Sequence, residues 1–146
     1  MSKINSQNKI CPLNGSHGKK VQIITLKSLL KPLALETLNP DTTYFFCDTA
    51  DCPAVYFSEE GQVFTVDQVK VLISQKHQST NVPICYCFDW SLQRIQVEVE
   101  QTGYSHAVES ITEHIKARRC ACEVNNPQGS CCLKNVKQAV QKLITT

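Results

Sequence analysis

The chain has 146 residues, 42% of them hydrophobic, which suits one average domain or two small ones with a modest core. Fifteen Lys+Arg against 13 Asp+Glu leave a formal charge of +2, no electrostatic footprint for nucleic acid or an anionic membrane surface. Nine cysteines are about 6% of the chain, below the roughly 8–10% of a disulfide scaffold, and an odd number cannot all pair internally.

The opening MSKINSQNKI is polar and lacks the apolar run of a signal peptide, and no later stretch is apolar enough to span a membrane. Residues 1–10 therefore read as a polar tail, and the expected compartment is the cytoplasm. In that reducing environment clustered cysteines serve as metal ligands or redox groups more often than as disulfides.

In chain order, Val21-Gln22-Ile23-Ile24-Thr25 is β-branched and predicts a strand, and 26–31 can form one or two helical turns that stop before Pro32. Thr43 to Cys47 and Ala54 to Phe57 are aromatic-rich and predict strands, with turn residues at 48–53 between them. A turn at 58–61 leads into a third run, 62–66, and Asp67 is placed to cap a short helix carrying Val69, Leu72 and Ile73. Residues 75–83 (QKHQSTNVP) are polar and turn-rich and read as a linker. Beyond it, Ser91 can cap a helix with Leu92, Ile95 and Val99 on one face, ended by Gly103. Ser105 can cap a second helix with Val108, Ile111 and Ile115, closed by a basic C-terminus at 116–119. A loop at 125–130 precedes a third, with Leu133, Val136, Val140 and Leu143 on one face. The expected fold class is α+β: a β module of zinc-ribbon type over 11–74, then a small all-α module over 84–146.

The cysteines divide along the same line. In the first half Cys11 sits in the knuckle CPLNGSHG, and Cys47 and Cys52 form a second knuckle about 35 residues on; joined by strands, the pair suggests a zinc ribbon. In the second half Cys85-Tyr86-Cys87, Cys120-Ala121-Cys122 and Cys131-Cys132 lie at helix ends and in connecting loops, where ligation is favoured over core packing. Four thiolates on a 2Fe–2S core carry a net −2, an anion suited to helix N-termini; spacing alone leaves zinc an equal alternative. No P-loop, GxGxxG or nucleophile with an evident base is present, so the motifs give no enzymatic reading, and a metal-binding protein is expected more than an enzyme. His77, His106 and His114 read as surface side chains, and Phe88 and Trp90 as shields flanking the C-x-C.

From Val82 onward, Cys85-Tyr86-Cys87-Phe88, two amphipathic helices and then Cys122-x3-Asn126-Pro127-Gln128-Gly129-Ser130-Cys131-Cys132 resemble the iron–sulfur module of the archaeal-type CopZ copper chaperones, itself similar to bacterioferritin-associated ferredoxin (BFD). The resemblance implies a [2Fe-2S] cluster on Cys85, Cys87, Cys122 and Cys132, with Cys120 and Cys131 as alternates. Within the pair, Cys132 shares a helical face with Val136, Val140 and Leu143, whereas Cys131 lies over Asn135. Between Cys120 and Cys122 only the resemblance chooses. The same family begins with a zinc module that resembles Tyr44-Phe45-Phe46-Cys47 and Cys52-Pro53-Ala54-Val55-Tyr56-Phe57, but Asn14 stands where its second C-x-x-C thiol would be. Zinc is thus expected on Cys11, Cys47 and Cys52, with His17 a candidate for the fourth position.

Fuller family members carry a C-terminal heavy-metal-associated (HMA) copper domain with an M-x-C-x-x-C site, and that motif is not found here; the only methionine is Met1. The implied role is a redox or metal-handling accessory of copper homeostasis, for instance passing one electron to Cu(II), with copper carried by a partner HMA domain or copper ATPase. Two alternatives stand beside it: a ferredoxin-like carrier for another redox protein, and a purely structural or regulatory zinc module.

Overall fold

The computed structural model describes residues 9–77 and 79–145, so most of the polar tail and Gln78 of the 75–83 stretch lie outside the described residues. In the first half, β1 (Lys19–Val21), β2 (Tyr44–Phe46), β3 (Ala54–Ser58) and β4 (Val63–Thr65) form an antiparallel sheet in the order β1-β2-β3-β4. The three aromatic runs expected as strands are β2, β3 and β4.

Alternation along β2 divides its side chains between two cores. Tyr44 and Phe46 point to the larger one, with Val21, Leu26, Leu30, Tyr56 and Phe64. Phe45 and, one step beyond the strand, Cys47 point the other way, into a small cluster of Cys11, Cys52, Ala54 and Phe57. There the Phe45 and Phe57 rings stack at 5.4 Å. At a register shift between Ala54 and Tyr56, the adjacent Val55 and Tyr56 both join the larger core, while Ala54 and Phe57 join the smaller one.

Two local expectations are corrected here. The β-branched stretch from Val21 to Thr25 leaves β1 after Val21 and enters helix α1 (Ile23–Leu29), because Leu26 and Leu29 then reach the sheet core. A short helix α2 (Pro32–Leu35) follows, with proline at its first turn where no N–H is needed. Asp67 does not cap a helix. Thr65 and Gln68 form a capping box on a single 3-10 turn (Val66–Gln68), and Val69 then runs extended to bridge Leu30.

The second half opens on a two-stranded ribbon, β5 (Pro83–Cys85) and β6 (Trp90–Ser91), a departure from the all-α expectation. The tight return after Cys87 uses Asp89 at φ 57, a left-handed conformation that aspartate tolerates. Helix α3 (Leu92–Thr102) is capped by Ser91, whose side chain accepts the Arg94 N–H, and ends at Gly103 with φ 77. Helix α4 (Ala107–Lys116) has His106, one residue later than expected, at its N-cap position, while Ser105 Oγ still accepts the Ala107 N–H at 3.2 Å. A short helix α5 (Cys122–Asn125), which the sequence pattern did not reveal, precedes α6 (Leu133–Thr145). Ile95, Ile111 and Val136 from α3, α4 and α6 meet in one core that also buries Trp90, Cys85 and Cys132.

The halves touch through hydrogen bonds of unusual sequence separation. Thr25 Oγ1 in α1 donates to Glu123 O in α5 at 2.6 Å, and Tyr56 Oη donates to Pro127 O at 2.5 Å. Tyr86 Oη, between two of the cysteines, donates to Leu72 O at 2.6 Å and accepts the Ser74 N–H at 3.0 Å. No helix among the described residues is long and apolar enough to cross a membrane.

Candidate metal centres

The first centre grows from two knuckles held face to face. Cys11 starts a turn closed by Gly15 N–H to Cys11 O and Cys11 N–H to Ser16 O, both 2.8 Å. Cys47 follows β2 and stays in register with β3 through its N–H to Val55 O, and Cys52 closes a turn on Thr49 O. Ser16 Oγ and Thr49 Oγ1, 3.0 Å apart, tie the knuckles together. The three sulfurs lie within 4.8 Å of one another, all on buried residues, with Cys11 and Cys52 4.0 Å apart. Zinc–sulfur bonds of about 2.3 Å in a tetrahedron place sulfurs roughly 3.8 Å apart, so the donor set fits zinc.

His17 does not join them. It pairs with Ile10 in an antiparallel bridge that leaves its ring exposed, and it lies outside the three-sulfur group. Asn14, at the position of the missing thiol, turns its amide N–H to Cys47 Sγ at 3.4 Å and so acts as a donor to sulfur. Lys76 Nζ, from the stretch read as a linker, stands 3.8 Å from the same sulfur. Burial works against a Cys47 thiolate, but the Thr49 N–H, the Asn14 amide and the Lys76 ammonium outweigh it and bring the thiol down to about 7. Burial pushes its neighbour Cys11 up to about 11.

The second group sits where β5, α5 and α6 converge. Cys87 Sγ lies 3.8 Å from Cys122 Sγ. The Cys132 thiol neighbours both Cys122 and Cys85: hydrogen bonding from it brings Cys122 down to about 6 and Cys85 to about 7, while Cys132 itself is pushed up by holding the proton between them. Cys85 and Cys132 are buried in one core against which Cys87 packs, so these thiols lie in the same region as the Cys87–Cys122 pair, while among the described residues only Cys11, Cys47 and Cys52 bring three ligand atoms within 4.8 Å of one another. Ala121 N–H points at Cys87 Sγ at 3.2 Å and the Asn125 amide at 3.5 Å. Neither donor is evident from the sequence pattern, although both lie within three residues of Cys122.

Cys132 is 2% exposed and packs on Val136, whereas Cys131 is exposed and its sulfur accepts the Leu133 N–H at the start of α6. Cys120 is half-buried, and burial pushes its thiol up. Trp90 is buried beneath the Arg94 guanidinium, 3.7 Å from the ring centroid. Phe88 stacks on His114 at 4.1 Å, and His114 also accepts the Arg119 Nε–H, so this histidine is a built contact and no bare surface group. His106 pairs with Glu98 at 3.0 Å, and His77 Nδ1 accepts the Ile73 N–H at 2.9 Å.

With this geometry in view, residues 8–70 match the CopZ-type family described as a zinc binding domain. The chain is also 30% identical over 122 residues to the copper chaperone CopZ of Archaeoglobus fulgidus, covering 84% of this chain and 57% of that protein. It therefore spans somewhat over half the length of that relative. The X-ray structure of the A. fulgidus CopZ N-terminal domain matches with a TM-score of 0.73 at 28% identity, covering 88% of this chain and 95% of that domain. The likeness to CopZ thus extends well past residue 70.

Proposed function

We propose that this chain is a zinc- and [2Fe-2S]-binding metal-handling protein of copper homeostasis, in which Cys11, Cys47 and Cys52 hold zinc and Cys85, Cys87, Cys122 and Cys132 hold the cluster. What supports the second half of this reading is the Cys87–Cys122 sulfur pair at 3.8 Å beside the core that buries Cys85 and Cys132, with N–H donors already aimed at Cys87. Homology to a copper chaperone links the metal chemistry to copper.

A bound [2Fe-2S] cluster supplies a one-electron couple, suited to reducing Cu(II) to Cu(I) while copper itself is carried by a partner. The protein's own contribution is to hold and tune. Hydrogen bonds to cluster thiolates favour the more negative, reduced state and raise its potential. Burial of Cys85, Cys122 and Cys132 limits water, and half-exposed Cys87 offers the side from which a cytoplasmic redox or copper partner can approach. The BFD-like reading of the helical half, with Cys120 and Cys131 spare, follows from the same assignment.

The test is the metal and sulfide content of anaerobically purified protein, with optical and EPR spectra. About two iron, two sulfide and one zinc per chain, a red-brown colour and a rhombic signal on reduction are expected. A colourless protein holding only zinc would reject the cluster and leave the zinc module alone.

A further inference from the structure

The zinc-type centre has a cation beside it that cysteine spacing does not reveal. Three thiolates around Zn2+ leave a formal charge of 2 − 3 = −1. An anion among side chains as buried as Cys11, Cys47 and Cys52 is costly unless donors or a positive group compensate it. Lys76 Nζ donates to Thr49 O at 2.7 Å and Cys52 O at 2.9 Å, two carbonyls of the second knuckle, and lies 3.8 Å from Cys47 Sγ. These partners account for all three donors of the ammonium. A protonated amine has no lone pair to offer a metal, so Lys76 acts on the sulfur and the loop from outside the coordination sphere.

Its placement is enforced from elsewhere. Lys76 N–H bonds Ile73 O at 2.9 Å, and Ile73 is fully buried in the sheet core. In the same turn, Ser74 N–H bonds Tyr86 Oη at 3.0 Å, and Gln75 Nε2 donates to Gln128 Oε1 at 2.8 Å. The cation is thus delivered to the first half's metal group by a turn anchored on the second half.

We propose that Lys76 is a positioning residue of the zinc site: its charge neutralises the three-thiolate zinc anion, and its donors hold the 47–52 loop in ligating shape. The proposal rests on Cys11, Cys47 and Cys52 being the zinc ligands.

The experiment measures zinc affinity of the full-length chain by competition with a chromophoric chelator at fixed pH. Lys76→Gln keeps a donor for the carbonyls but loses the charge, and it is expected to weaken zinc by about 10- to 100-fold, the usual scale for outer-shell partners. Lys76→Met, which keeps only the aliphatic stem, is expected to lose at least as much, and Lys76→Arg to stay near native. Cobalt(II) in place of zinc should keep its thiolate charge-transfer absorption in all three, since no ligand is removed. Native affinity in the Gln or the Met variant overturns the proposal, as does an Arg variant as weak as Gln. Cys47→Ser separates the two readings: if it binds zinc like the native chain, the ligand assignment has failed, whatever Lys76 does.

Discussion

The two cysteine groups are built on opposite principles. In the sheet half, Cys11, Cys47 and Cys52 are walled in by the stacked Phe45 and Phe57, and their fourth neighbours are donors to sulfur. In the helical half the thiols sit on loop and helix ends, Cys87 and Cys120 are half-buried and Cys131 is exposed. A closed, aromatic-lined set of three suits a metal that stabilises a fold; a looser set with partly exposed sulfurs suits the electron-exchanging group proposed for it. The difference also shows what joins them, since Tyr56 and Thr25 of the sheet half hold the very loop that presents Cys122 and Cys132.

The largest effect is expected at the second group. Cys132→Ser should abolish cluster absorbance and iron content, while Cys131→Ser should keep both; equal losses would show that burial does not decide between the adjacent thiols. A smaller effect should stay within the first group. A Cβ at Gly18 would come 2.6 Å from Cζ of the Phe57 ring and 2.9 Å from Phe45 Cβ. Both rings are fully packed, so Gly18→Ala should cost about 1–3 kcal/mol in urea unfolding and loosen zinc retention, with little change in the cluster spectrum. The smallest tests the bond between the groups. Tyr56→Phe leaves the buried Pro127 carbonyl without its partner, and an unfolding cost of about 1–2 kcal/mol is expected. If the cost is nil, the halves do not depend on this contact.

Much of this was legible in the chain because the signals are local. The aromatic runs make β2 to β4, and Ser91 and Gly103 bound α3 where their chemistry predicts, since capping and strand alternation depend on neighbours a few residues away. The helical face that sets Cys132 inward and Cys131 outward is equally local. The misread pieces are those where distant contacts overrode local preference. Ile23 and Ile24 are β-branched yet helical because Leu26 and Leu29 must reach the sheet, and Val69 is extended because it bridges Leu30.

The sequence by itself determined the division of nine cysteines into a group of three and a group of six, the absence of a fourth thiol at Asn14, and the family likeness. Only the tertiary structure decided which donors surround those three thiols. His17 is near in sequence but turned outward by its bridge to Ile10, whereas Lys76, 24 residues beyond Cys52, is brought in by a turn whose anchors are Ile73, Tyr86 and Gln128. Proximity along the chain is a weak guide to a metal site, because a strand bridge can rotate a neighbour away while packing elsewhere carries a distant charge to it.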